Sequence, residues 1–147
     1  MRIPLEIASY EDLEALEHSH PRTTYRLKLL LRLRIPEGWS EHHRAIVDTG
    51  SPYSVIPSAL EPTLMMKPLY RTRIGGLVPN EYIRGTMVDV ECVATDGLKN
   101  SQPYSIRAIV SDRNEVPLIL GLDGLLHRAD IVCRLSSREA WIDLPLG

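Results

Sequence analysis

One carboxylate sits where a buried strand would end. Ala45-Ile46-Val47 runs into Asp48-Thr49-Gly50-Ser51. The apolar residues read as the end of a buried strand, and they deliver to its tip an acid, a hydroxyl, a glycine and a second hydroxyl. An ionised carboxylate out of water costs several kcal/mol unless it is hydrogen-bonded. The residues behind Asp48 supply what is needed: Gly50 lets the backbone turn sharply with its amide facing inward, and Thr49 and Ser51 carry hydroxyls. Val55-Ile56 resumes the apolar chain, so the acid occupies a loop pinned between two core segments. A carboxylate held this way can act as a general base. The same residues also suit a plain Asx-turn at a strand end, the commonest use of Asp beside Gly.

The elements around this loop read as strands. From Tyr25, Leu27, Leu29, Leu31, Leu33 and Ile35 alternate with Arg26, Lys28, Arg32 and Arg34, the period of a half-buried strand. No aromatic is interleaved with those cations, so nucleic acid is not expected there. Pro36-Glu37-Gly38 makes the turn, and residues 41–47 return as the strand that ends at Asp48. Residues 58–66 are expected to hold a short helix limited by Pro57 and Pro62. Residues 70–80 and 82–94 read as a hairpin with a flexible tip around Gly75-Gly76 and Pro79-Asn80. Ile106, Ala108 and Val110 mark a further strand, and Val116 to Gly121 is an apolar run that suggests a strand buried on both faces. Residues 122–128 are expected as a short helix, and residues 129–135 and 139–144 as a closing hairpin. Residues 1–20 read as an N-terminal extension. Ser9 with Asp12 three residues on resembles a capping box, and Leu13 and Leu16 give a short apolar stripe. That pattern predicts an acidic helix of two or three turns after a short strand at residues 3–7.

Composition sets the bounds. A chain of 147 residues is one domain long, and a net charge of −2 asks for neither nucleic acid nor an anionic membrane. There is no apolar run of about eighteen residues and no charged-then-apolar leader, so a soluble, non-exported and cytoplasmic protein is expected, with no membrane partner. The two cysteines, Cys92 and Cys133, have no Cys or His at ligand spacing and read as reduced core residues; no metal or other cofactor is expected. His42 and His43 are adjacent on a strand and point to opposite faces, which suits a surface position rather than a shared ion. With no Phe and two Trp, the core must be built from Leu, Ile and Val.

In order, the pieces are a strand, Val47-Asp48-Thr49-Gly50-Ser51 with Ser54-Val55-Ile56 behind it, a Gly-rich hairpin carrying Ile74-Gly75-Gly76, and Leu118-Ile119-Leu120-Gly121 running into a helix. This order resembles the retropepsin-like aspartic proteases, from about residue 24 to 144. The resemblance implies a mostly β fold, the closed barrel-like half of a pepsin with one or two short helices, over residues 21–147. Two positions depart from the retroviral pattern. An acid four residues after the catalytic Asp is replaced by Pro52, and an Arg after the second-motif glycine by Leu122. Both halves of that ion pair are missing together, as expected where losing one would strand a charge at a cost of a few kcal/mol. Gly121-Leu122-Asp123 is closer to the cellular, DNA-damage-inducible branch and its bacterial relatives.

The family's chemistry needs two carboxylates sharing one proton, because like charges that close cannot both ionise. This chain has one Asp-Thr-Gly, so the resemblance implies a homodimer with its two-fold axis between two copies of Asp48. It implies Asp48 as the catalytic residue and Thr49, Gly50 and Ser51 as its support, Thr49 bonding across the axis and Ser51 holding the outer carboxylate oxygen. Ile74, Gly75, Gly76, Leu77 and Val78 would form the flap over an extended peptide or protein substrate. Ile119, Leu120 and Gly121 would lie beneath the site, with Val55, Leu77, Val78 and Ile119 walling the side-chain pockets. The expected activity is that of an aspartic endopeptidase. The alternative is a module of the same fold that holds a peptide or protein without cleaving it.

Overall fold

The computed structural model describes residues 1–78 and 81–146, with the backbone alone for residues 76–78. Pro79 and Asn80 at the hairpin tip, and the side chains of Leu77 and Val78, lie outside the described residues. What is described is mostly β: a three-stranded sheet and a nine-stranded sheet.

The long strand of alternating leucines is the hub. β3 (Thr23–Ile35) pairs with β2 (Glu6–Glu11), with a two-residue β4 (Gly38–Trp39), with β5 (His43–Val47) and with part of β8 (Glu81–Ala94). Leu29, Leu31 and Leu33 are buried while Arg26 is exposed, as the period of two requires. Each fully buried leucine contributes about 2 kcal/mol of transfer free energy, so this face anchors the sheet. β7 (Met66–Val78) and β8 form the hairpin, and β8 pairs on its other side with β9 (Tyr104–Ser111). β6 (Ser54–Ile56) lies parallel to β9.

The N-terminal residues are woven into both sheets. β1 (Arg2–Pro4) pairs with β12 (Glu139–Asp143), which pairs with β11 (Asp130–Arg134), while β2 lies on β3. Ile3 and Ile142 are fully buried in the same core as Leu29, Leu31 and Leu33. A single apolar residue every second position is enough for this, and a short window undervalues it. The expected two- or three-turn helix is one turn, α1 (Leu13–Glu17), capped by Asp12 accepting from the Ala15 amide at 3.0 Å rather than by Ser9, which sits in β2. Leu13 and Leu16 are exposed. Pro62 restricts residues 58–63 to a 3₁₀ turn, and the helix expected after Gly121 is likewise a 3₁₀ turn at Leu126–Arg128. Of the apolar run before Gly121, β10 is two residues, Ile119–Leu120.

The two cysteines separate. Cys92 is fully buried, and desolvation pushes its thiol up to about 12. Cys133, expected in the core, is exposed: it shares the face of β11 that carries Ile131, opposite Ala140, but it lies towards the end of an edge strand with no strand on its far side among the described residues. A thiol reagent is therefore expected to label the native chain once, at Cys133, and Cys92 only after unfolding, read by intact mass before and after denaturant. No helix in the described residues is long and apolar enough to cross a membrane.

Candidate functional site

Asp48 is placed by a strand slipped between two of its neighbours in sequence. β5 and β6 are consecutive in the chain, yet β10 lies between them, parallel to β5 and antiparallel to β6. Ile119 sits opposite Ile46 on one side and opposite Val55 on the other. The segment joining β5 to β6 therefore crosses the end of β10, and Asp48 is its first residue. Its amide donates to the Leu120 carbonyl at 3.0 Å. On the far side of the loop, the amides of Leu122 and Asp123 donate to the carbonyls of Ser51 and Pro52 at 2.8 and 3.0 Å.

Gly121 makes this crossing possible. A Cβ there would stand 2.2 Å from the Tyr53 carbonyl oxygen and 2.7 Å from that of Ser51. Its amide donates to the buried Ser54 hydroxyl at 3.0 Å. Ser54 was named from sequence only as part of the motif behind Asp48, without a role; the signal for one is a serine directly ahead of Val55-Ile56 in a segment that must be buried, where a hydroxyl needs a partner.

Within the loop, the Gly50 amide donates to Asp48 Oδ1 at 2.9 Å, and the Ser51 amide to the Asp48 carbonyl at 3.2 Å. This is Asx-turn geometry, and it orients one carboxylate oxygen through a backbone amide. The Ser51 hydroxyl donates to the Tyr53 carbonyl at 2.6 Å. In the single chain, then, Ser51 braces its own loop rather than the outer carboxylate oxygen. Thr49 and Gly50 are exposed, and Asp48 is half-buried.

Opposite the loop stands the hairpin, across a cleft of about 430 Å³. Asp48, Gly50, Ser51, Pro52 and Tyr53 line one side, and residues 70 and 72–75 the other. Tyr70 lies opposite Met87 in the register, and Ile74 opposite Ile83, so Tyr70, Thr72 and Ile74 share the inward face. Buried Met87 and Ile109 complete the lining. Asp48 is the one carboxylate among the described lining residues. Counting back by twos from Ile74 would have found Thr72, but Tyr53, Met87 and Ile109 reach the cleft only through tertiary packing.

Two expected pocket walls are elsewhere. Val55 and Ile119 are buried in a small cluster with Ile83 and Val116, against which Ile46 and Ile74 pack. They support the loop and the base of the hairpin from below instead of facing the cleft. Leu120 belongs to the main core. At Gly75 the exposed Tyr82 ring lies across the glycine, 3.0 Å from where a Cβ would stand. No group of three or more His, Cys, Asp or Glu among the described residues is placed to hold a metal ion. No family model matches the chain, and no curated protein matches it in sequence.

Proposed function

We propose that this chain is a retropepsin-like aspartic endopeptidase, active as a homodimer in which two Asp48 carboxylates share one proton. The observation that carries the reading is Asp48 itself: a half-buried carboxylate at the crossing of β5, β6 and β10, oriented by the Gly50 amide and facing a cleft roofed by a hairpin. The exposed residues beside it support a second copy. Thr49, Gly50 and Pro52 lie at the surface in the loop that carries the carboxylate, and Leu122, a large apolar residue, is 37% exposed and tied by its amide to Ser51 in that loop.

In this reading the ionised Asp48 takes a proton from the water between the two carboxylates as its oxygen attacks the peptide carbonyl. The protonated partner donates to the developing oxyanion, and a proton then passes to the leaving amine as the C–N bond breaks. The pair titrates as a unit, so an apparent pKa belongs to both copies. The substrate lies extended beneath the hairpin, its backbone bonded as an added strand, with an apolar side chain against Met87 and Ile109.

The test couples assembly to rate. Specific activity on an unfolded polypeptide at mildly acidic pH is expected to rise with protein concentration and to level off where sedimentation shows the dimer complete. Leu122→Arg is expected to shift both curves to higher concentration. Activity independent of concentration in a strictly monomeric sample would reject the two-chain site. One observation favours a second reading: a single chain offers its cleft one carboxylate among the described lining residues, so a chain that stays monomeric would hold peptides without cleaving them.

A further inference from the structure

We propose that the outward face of the hairpin is a docking site for an acidic segment of a polypeptide, gripped between Arg73, at the rim of the cleft, and Arg84. The face is set by the register: Arg71 lies opposite Thr86, Arg73 opposite Arg84, and Gly75 opposite Tyr82, so these side chains project together while Tyr70, Thr72 and Ile74 turn the other way. The first rung is satisfied. Arg71 donates to both oxygens of Asp112, at 2.9 and 2.6 Å, and to the Thr86 hydroxyl at 3.0 Å.

The next rung places two arginines directly across from each other. Both arginines are exposed, and neither guanidinium makes an ion pair or a hydrogen bond among the described residues, although, after the hydrogen bond from Arg71, the charge of Arg84 reaches Asp112 and helps to hold its carboxyl low. Residues 76–80, Gly-Leu-Val-Pro-Asn, contain no carboxylate that could neutralise them. Like charges directly opposite on a sheet are destabilising, so this rung carries a cost that a bound anion removes. The Arg73 guanidinium lies 4.9 Å from the centre of the Tyr82 ring, which is 68% exposed. That stacking holds one fork in place and offers the side-chain methylenes of a glutamate an apolar wall.

Carboxylates fit two guanidinium forks by paired, charge-assisted hydrogen bonds. A continuous phosphate backbone fits less well. Arg113 ties Glu81, next to Tyr82, in an ion pair, Asp112 flanks the other end, and the chain's net charge is −2. A long polyanion would meet those carboxylates as it ran along the ribbon, whereas a peptide with one or two acidic side chains would not.

The test is calorimetric titration of the full chain at low ionic strength with an end-blocked peptide of alternating Glu and Ser, against the same peptide with Gln. Binding of the Glu peptide is expected, at least about tenfold tighter than of the Gln peptide, with a similar loss in Arg73→Gln/Arg84→Gln and none in Arg26→Gln. Arg84→Glu is expected to abolish binding while raising the melting temperature, because it replaces a repulsion by a cross-strand ion pair. The proposal is overturned by equal binding of the two peptides, by undiminished binding in the double variant, or by a lower melting temperature in Arg84→Glu. It is also overturned if a single-stranded oligonucleotide binds through the same two arginines more tightly than the Glu peptide. The readout is binding alone, so failure here leaves the reading of Asp48 untouched, and loss of cleavage in an Asp48 variant leaves this site untouched.

Discussion

Gly121→Ala is expected to destabilise the chain by about 3 kcal/mol or more, enough to leave much of it unfolded. The missing Cβ would stand 2.2 Å from one carbonyl oxygen and 2.7 Å from another, and neither belongs to a side chain that can rotate away. Relief requires the loop to lift off β10, which breaks the Leu122–Ser51 and Asp123–Pro52 hydrogen bonds and leaves the buried Ser54 hydroxyl without the Gly121 amide. Two other glycines calibrate the effect. At Gly97 nothing lies within 4 Å of a Cβ, so alanine there meets only the strain of a φ of +97°, about 1 kcal/mol. At Gly50 a Cβ would approach Asp48 Oδ1 at 3.2 Å, so Gly50→Ala is expected to disturb the carboxylate more than the fold. Urea midpoints for the three variants check the ranking. A Gly121→Ala midpoint equal to that of wild type would contradict the loop crossing.

Asp48→Asn is expected to lower hydrolysis of an unfolded polypeptide by at least about a thousandfold while leaving the urea midpoint close to that of wild type. An amide keeps the oxygen that accepts the Gly50 N–H, so the turn survives. It cannot take a proton from water or share one with its partner, so the chemistry does not. A midpoint far below wild type would make Asp48 a structural residue, and equal cleavage by the variant would reject its catalytic role.

The legible part of the fold was the part carried by period and by turn chemistry. The alternating leucines of β3 and the two arms of the hairpin follow from a period of two, and the loop after Val47 from an Asp two residues ahead of a Gly. β1 and β2 were not legible as partners of β12 and β3, because what makes them strands is the far end of the chain: Ile3 is buried against a core that Ile142 helps to close. The helix was over-read for the same reason. Leu13 and Leu16 have helical spacing, but both stay exposed, and a helix this short has no stability of its own. At the site, Asp48 and Gly50 declared themselves by residue type. Ser54, Met87 and Ile109 did not, since a buried serine or methionine looks like any other until the strands that meet it are known. Ser51 shows the limit of reading a role from a neighbour in sequence: its hydroxyl bonds the Tyr53 carbonyl two residues on.

The most direct measurement of a site shared by two chains is a mixing titration. Wild-type protein is combined with increasing fractions of Asp48→Asn chain at constant total concentration and allowed to exchange subunits. If each active centre needs one intact carboxylate from each copy, activity falls as the square of the wild-type fraction, to a quarter at equal parts. A fall in simple proportion, to one half at equal parts, would mean that each chain works alone, and the two-carboxylate account would be wrong.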